Sequence, residues 1–253
     1  MIVTTDAIMY LIALMRNYKI AKKRMYSFQG TYPVDEEAKR VYTESGLLKF
    51  VKSKSKQLPA NSSKMAIMCG TNNDSTSAGK MCDFVVEKIG ETRAYVKELY
   101  NVIIEMMSNV YYHAYNDNSD EKMIPEWYMY AEYDEEDSIK FLFLDTGLGI
   151  GKTVKKHTLY EKVTAKIGAG SEARLIKSAL SGDFRTQTGK SNHGKGLPYI
   201  NDFAFSEKVK DFHIISGKGH CWLFDQDVEF HSEDLKNKIN GTVYCFTLKK
   251  VEE

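Results

Sequence analysis

The chain has 253 residues, 43% hydrophobic and 27% charged, with a formal net charge of +1. That is enough polypeptide to bury a sizeable core in one large or two smaller domains. The near-balanced charge excludes a global field that would recruit nucleic acid or an anionic membrane.

The most apolar run, residues 7–15, is too short to span a bilayer, which takes about 20 residues. Asp6 precedes it where a signal peptide would carry basic residues. The run predicts a buried helix over 6–18, and its abrupt start at the terminus fits a shortened form of a longer chain. A short strand over 22–29 follows. Next comes a helix opening at Asp35-Glu36-Glu37 and ending near Ser45-Gly46, with acids in the first turn and a glycine at the end. These pieces make residues 1–60 a small α/β N-terminal region, and the polar, aperiodic stretch 52–63 reads as a linker.

Residues 64–253 form the second expected unit. A short apolar piece at 65–69 and a polar loop at 70–79 lead into helical periodicity from about 80 to 115, broken near Gly90-Glu91-Thr92. Strands are predicted over 127–133, 139–144, 209–216, 221–224 and 242–248, with a Gly/Lys/Ser/Thr-rich region at 146–196. No internal repeat is present. Helices followed by an antiparallel-leaning sheet point to an α+β fold. The scattered cysteines Cys69, Cys82, Cys221 and Cys245 form no C-x-x-C pair, so they read as reduced thiols of a cytoplasmic protein.

Three stretches carry candidate chemistry. Within 100–115, Glu105, Asn109 and His113 recur every four residues, along one slowly drifting helix face. Ile103, Met107, Val110 and Ala114 follow helical spacing on another face, toward a core. A carboxylate one turn before a carboxamide suits a site where the amide oxygen binds magnesium. The carboxylate can then orient or deprotonate a nucleophile.

The strand over 139–144 runs into Asp145, placed to accept a hydrogen bond from an adenine amino group. Gly147 and Gly149 then leave room for a base or phosphate. A dinucleotide fingerprint fails here, because Lys152 stands at its last glycine. Walker-type loops ending at Gly151-Lys152-Thr153 or Gly189-Lys190-Ser191 fail too, with Thr146 and Phe184 at the required first glycine. In 191–200, Gly194 and Gly196 can present backbone amides at the start of a helix from about Leu197, an arrangement that binds phosphate, with Lys195 beside it. Taken singly, each stretch is equally an ordinary polar helix face, strand-to-loop turn or glycine-rich cap.

In this order, over about residues 65–250, they resemble the GHKL superfamily of gyrases, mismatch-repair ATPases, chaperone ATPases, histidine kinases and anti-sigma serine kinases. Glu105 and Asn109 are similar to its N box, residues 145–150 to its first glycine box, and Gly194-Lys195-Gly196-Leu197 to its second. Gly241-Thr242 resembles the late Gly-Thr that helps to hold adenine. The resemblance implies a Bergerat-type two-layer sandwich, with helices on one face of a mixed, mainly antiparallel sheet. It implies ATP and Mg2+ as ligands, Asn109 as the metal ligand and Glu105 as the catalytic residue. Nucleotide contacts would come from Asp145, Gly147, Gly149, Ile150, Gly194, Lys195, Gly196, Leu197 and Thr242. A lid would span about 151–193, with Lys152, Arg185, Lys190 and Lys195 toward the phosphates, and His113 would sit behind the metal ligand.

The activity so implied is ATP hydrolysis whose lid closure switches contacts with a protein partner or a second copy, with no membrane or nucleic acid involved. Residues 104–115 are most similar to the anti-sigma serine-kinase N box, which implies protein-serine kinase activity as the alternative. A nucleotide-sensing module without turnover is the third reading. Histidine kinases fit least, since no separate dimerisation helix with a phosphoacceptor histidine is found. The N-terminal helix–strand–helix resembles part of a STAS-like domain, without that domain's opening strands.

Overall fold

The computed structural model describes residues 4–21, 31–45, 63–113, 125–134, 136–168, 170–184 and 196–251. Its strands are β1 (Met68–Gly70), β2 (Trp127–Tyr133), β3 (Ser138–Asp145), β4 (Val209–Ser216), β5 (Gly219–Phe224), β6 (His231–Asp234) and β7 (Thr242–Lys249). They form one sheet in the order β1-β2-β3-β7-β4-β5-β6. All six pairings are antiparallel, which corrects the expectation of a mixed sheet. The hairpins β2–β3, β4–β5 and β5–β6 reverse direction at each short connection. β7 then enters the gap between β3 and β4 and runs antiparallel to both.

The helices are α1 (Thr5–Ala21), α2 (Glu36–Glu44), α3 (Ser75–Ile89), α4 (Lys97–His113), α5 (Ile150–Val154), α6 (Tyr160–Ile167), α7 (Glu172–Leu180) and α8 (Gly196–Ala204). The α+β class is as expected. α3 begins earlier than the polar composition of 70–79 suggests, because Asp74 caps it, accepting from Thr76 N and Ser77 N at 3.0 and 3.2 Å. Gly90 closes it in the left-handed region.

The main core lies between one sheet face and helices α3, α4, α7 and α8. At its centre Phe141, Phe246 and Phe212 stack across three neighbouring strands, with ring centroids 4.6 and 5.2 Å apart. Phe203 of α8 meets Phe246 edge-on at 5.4 Å. Aromatic pairs in such offset and edge-on geometries add about 0.5–1.5 kcal/mol beyond simple burial.

The opposite face is not bare, and the expected one-sided sandwich is corrected here. Ile8, Met9, Ile12 and Ala13 of α1 and Val41 of α2 pack on Tyr128, Tyr130, Leu142 and Leu144. β2 and β3 carry large apolar side chains on both faces, so a single helical layer would leave one set in water. The described part of the N-terminal region therefore shares the sheet. The strand expected over 22–29, Gly46 and residues 52–62 of the linker lie outside the described residues. None of the four cysteines is disulfide-bonded. Among the described residues no helix is long and apolar enough to cross a membrane.

A charged anchor ends the α1 contact. Arg16 donates to the Glu126 carboxylate from Nε at 3.0 Å and from Nη2 at 2.5 Å, and the Tyr128 hydroxyl donates to it at 2.6 Å. Glu126 is only 4% exposed. Burial pushes its carboxyl upward, but the bonds from Arg16 and Tyr128 outweigh burial and hold it below the usual value. A depressed folded-state pKa means that the ionised pair stabilises above the unfolded carboxylate range. That stabilisation is lost as pH falls through the folded value. Arg16→Met should therefore cost about 2–3 kcal/mol at pH 7, by removing the cation that faces a buried carboxylate. In urea denaturation the deficit should shrink as the pH is lowered below about 4.

Candidate functional site

The site is built where three strands end together. Asp145, the last residue of β3, pairs with Thr242, the first of β7, and Ser216, the last of β4, pairs with Thr242 from the other side. All three side chains are buried. Asp145 Oδ1 accepts from Gly147 N at 2.7 Å, and Thr242 also donates to the carboxylate. Ser216 Oγ lies 3.1 Å from Thr242 Oγ1 and donates to the Gly241 carbonyl at 3.2 Å. It accepts from Ile150 N at 2.8 Å, at the start of α5.

Two glycines make this junction possible. At Gly241, φ is +89°, and a Cβ there would overlap the Asp145 carbonyl and the Thr146 backbone. At Gly149, φ is +81°, and a Cβ would come within 2.8 Å of Ser216 Oγ. Both positions demand a residue without a side chain.

The facing wall comes from α4 and α8. A Cβ on Gly196 would sit 3.2 Å from both Asn109 Oδ1 and Glu105 Oε2, so the backbone that opens α8 lies against this pair. Asn109, Asp145, Gly149, Ile150, Leu197 and Thr242 line one cleft, completed by Met106, Thr153, Val154 and Tyr244. Its empty space, counted out into open solvent at the mouth, is about 470 Å³.

The remaining expected residues fall as follows. Gly147 joins the site through its N–H on Asp145. Glu105 stands beside Gly196 without lining the cleft. Lys152 is exposed on α5 and does not line it. Gly194, Lys195, Arg185, Lys190 and the His113 side chain lie outside the described residues.

In the described part of the span expected as a lid, 151–193, helix α7 is packed into the fold. Ala173, Leu175, Ile176, Ala179 and Leu180 of α7 are buried. Glu172 accepts from Lys218 N at 2.5 Å, and Ala173 N donates to Asp234 at 2.9 Å. These bonds fasten α7 to the β4–β5 turn and to β6.

Electrostatically the site is dry and poised. Burial pushes the Asp145 carboxyl up to about 7, against the opposing pull of hydrogen bonds from Gly147 and Thr242. Burial also raises the half-buried Glu105. The Asn109 Nδ2 atom is buried and has no hydrogen-bond partner. An orphaned buried polar atom costs about 1–3 kcal/mol, so the carboxamide is a waiting partner for something bound beside it. Rotating the amide end exchanges nitrogen and oxygen in the same space, which offers an acceptor to a cation. Among the described residues no cluster of three or more His, Cys, Asp or Glu can hold a metal. Magnesium bound on phosphates takes its other ligands from the phosphate oxygens and water, an arrangement that needs few protein ligands beside Asn109.

Sequence reasoning missed five residues of the site. Met106 shares the helix face of Asn109 at i−3, and Tyr244 shares the strand face of Thr242 at i+2, so spacing alone could have found both. Thr153 and Val154 follow Ile150 by one helical turn. Ser216 left no signal, because its place depends on strand register.

The chain matches no protein-family model, and no curated protein is significantly similar to it in sequence.

The Asp145 environment has a measurable consequence. Its folded-state pKa is raised above the unfolded value, so the stability it contributes is full below about pH 4 and is lost as pH rises through about 7. Without added ligand, the urea midpoint should fall across that window. Asp145→Asn should flatten the profile, gaining at most about 4 kcal/mol over wild type at pH 8.

Proposed function

We propose that the chain is a GHKL-type protein with a Bergerat-type fold that binds ATP with Mg2+ in this cleft and hydrolyses it slowly. The observation that supports this best is convergence. Asn109, Asp145 with Gly149 and Ile150, Leu197, and Thr242 come from four separate stretches of sequence and meet on one cleft.

In this reading, Asp145 offers a buried acceptor fixed by Gly147 and Thr242, and it selects a base whose edge donates a hydrogen bond. Adenine has an amino group at that edge. Guanine would turn a carbonyl toward it, an acceptor that the ionised carboxylate cannot pair and that only the protonated acid could meet. Met106, Ile150, Val154 and Tyr244 supply apolar walls for the purine. The first-turn amides of α8, at Gly196 and Leu197, face the phosphate end, where aligned N–H groups and the helix dipole favour negative charge.

In this reading Asn109 would hold the magnesium ion, which would neutralise charge on the β- and γ-phosphates when bound; its buried, unbonded amide end supports this role. Glu105, one turn before it and beside Gly196, would orient a water and take its proton as phosphate is released, a role that its burial-raised carboxyl supports. Closure over the nucleotide that switches a partner or a second copy would either leave α7 in place or break its bonds to Lys218 and Asp234.

Purified protein with γ-labelled ATP tests the assignment. Glu105→Gln should cut phosphate release by about 100-fold or more while leaving ATP affinity within about threefold. Asp145→Asn should weaken ATP binding by about 10- to 100-fold in calorimetry. ATP bound equally tightly by wild type, Asp145→Asn and Asp145→Ala would remove the basis of the reading. Label appearing on a partner's serine would instead assign Glu105 to the kinase alternative.

A further inference from the structure

Helix α1 reaches the cleft from behind. It lies on the outer face of the sheet, yet two of its side chains bond to the loops that flank the Asp145–Thr242 pair. Asn17 Nδ2 donates to the hydroxyl of Thr146, the residue after Asp145. The Tyr10 hydroxyl accepts from the backbone N–H of Asn240, the residue before Gly241, at 3.1 Å. Tyr10 and Asn17 are seven residues apart, so two helical turns place them on one face. The Arg16–Glu126 pair beside Asn17 holds that end of the helix on the sheet.

The two loops are in turn packed on each other, since Gly241 has no room for a Cβ against Asp145 and Thr146. Thr146 is 2% exposed, and it begins the turn that carries Gly147 N–H to Asp145 and Gly149 to Ser216. The Asn17 Oδ1 atom is buried and makes no hydrogen bond. Truncating Asn17 therefore removes the bond to Thr146 without stranding a partner of that oxygen.

We propose that Asn17 is a positioning residue for the cleft. Through Thr146 it fixes the Asp145–Gly149 turn, so that α1 sets affinity at the base end of the site. The effect on nucleotide rests on the ATP reading above; the constraint on the turn does not.

Amide hydrogen exchange tests the constraint first. Gly147 N–H is held by Asp145 and Ile150 N–H by Ser216, and both should exchange at least about tenfold faster in Asn17→Ala than in wild type. Amides in the middle of α4 should not change, which separates local release from general loosening. Thr146→Val should give the same release, and the double variant should add nothing to it.

ATP titration then reads the consequence. Asn17→Ala should raise Kd for ATP and for adenosine by the same factor, about 5- to 20-fold, with kcat within about twofold. Unchanged exchange at Gly147 and Ile150, or additive effects in the double variant, would overturn the proposal. An unchanged ATP Kd in a wild type that binds ATP would do the same. Faster exchange in a protein that binds neither ATP nor adenosine would uphold the positioning role and sink the nucleotide reading instead.

Discussion

The antiparallel register of β3, β7 and β4 is the constraint on which the rest of the molecule depends. It sets Asp145, Thr242 and Ser216 side by side at one end of the sheet. A shift of one residue would turn the carboxylate to the opposite face and send the aromatic row of Phe141, Phe246 and Phe212 out of the core. The same register that closes the core thus assembles the polar corner. Gly241 is the hinge of this arrangement, because β7 approaches β3 there too closely for any side chain.

Much of the fold was legible because strand alternation is a strong signal. β2 and β4 run over the residues predicted, and β3, β5 and β7 differ only by a residue or two at their ends. The burial of β7 alternates perfectly, as a strand with differently covered faces should. β6 gave no such signal, since all four of its residues are exposed. Coverage of the outer sheet face was hidden for a different reason. β2 is buried at five successive positions, and a run without alternation does not say what packs on each side.

The site divided along similar lines. Residues whose chemistry is local, such as a carboxamide one turn from a carboxylate or glycines after a strand, could be picked out from spacing. Residues whose role comes from contacts distant in sequence could not. Ser216 and Asn17 both belong to this second group: one bonds to α5 across the sheet, the other to Thr146 from the far face. Each looks unremarkable in its own segment, a strand-terminal serine and an asparagine on an amphipathic helix. Only the folded topology makes them neighbours of Asp145.

Asp145 also ties the cleft to the acidity around it. With its carboxyl near 7, the empty molecule at neutral pH divides between a protonated and an ionised form. A guest that donates a hydrogen bond to this oxygen prefers the ionised form, so its binding would release a fraction of a proton into the solvent. For such a guest, occupancy and local pH would be linked variables, with acidification loosening it and alkalinity tightening it.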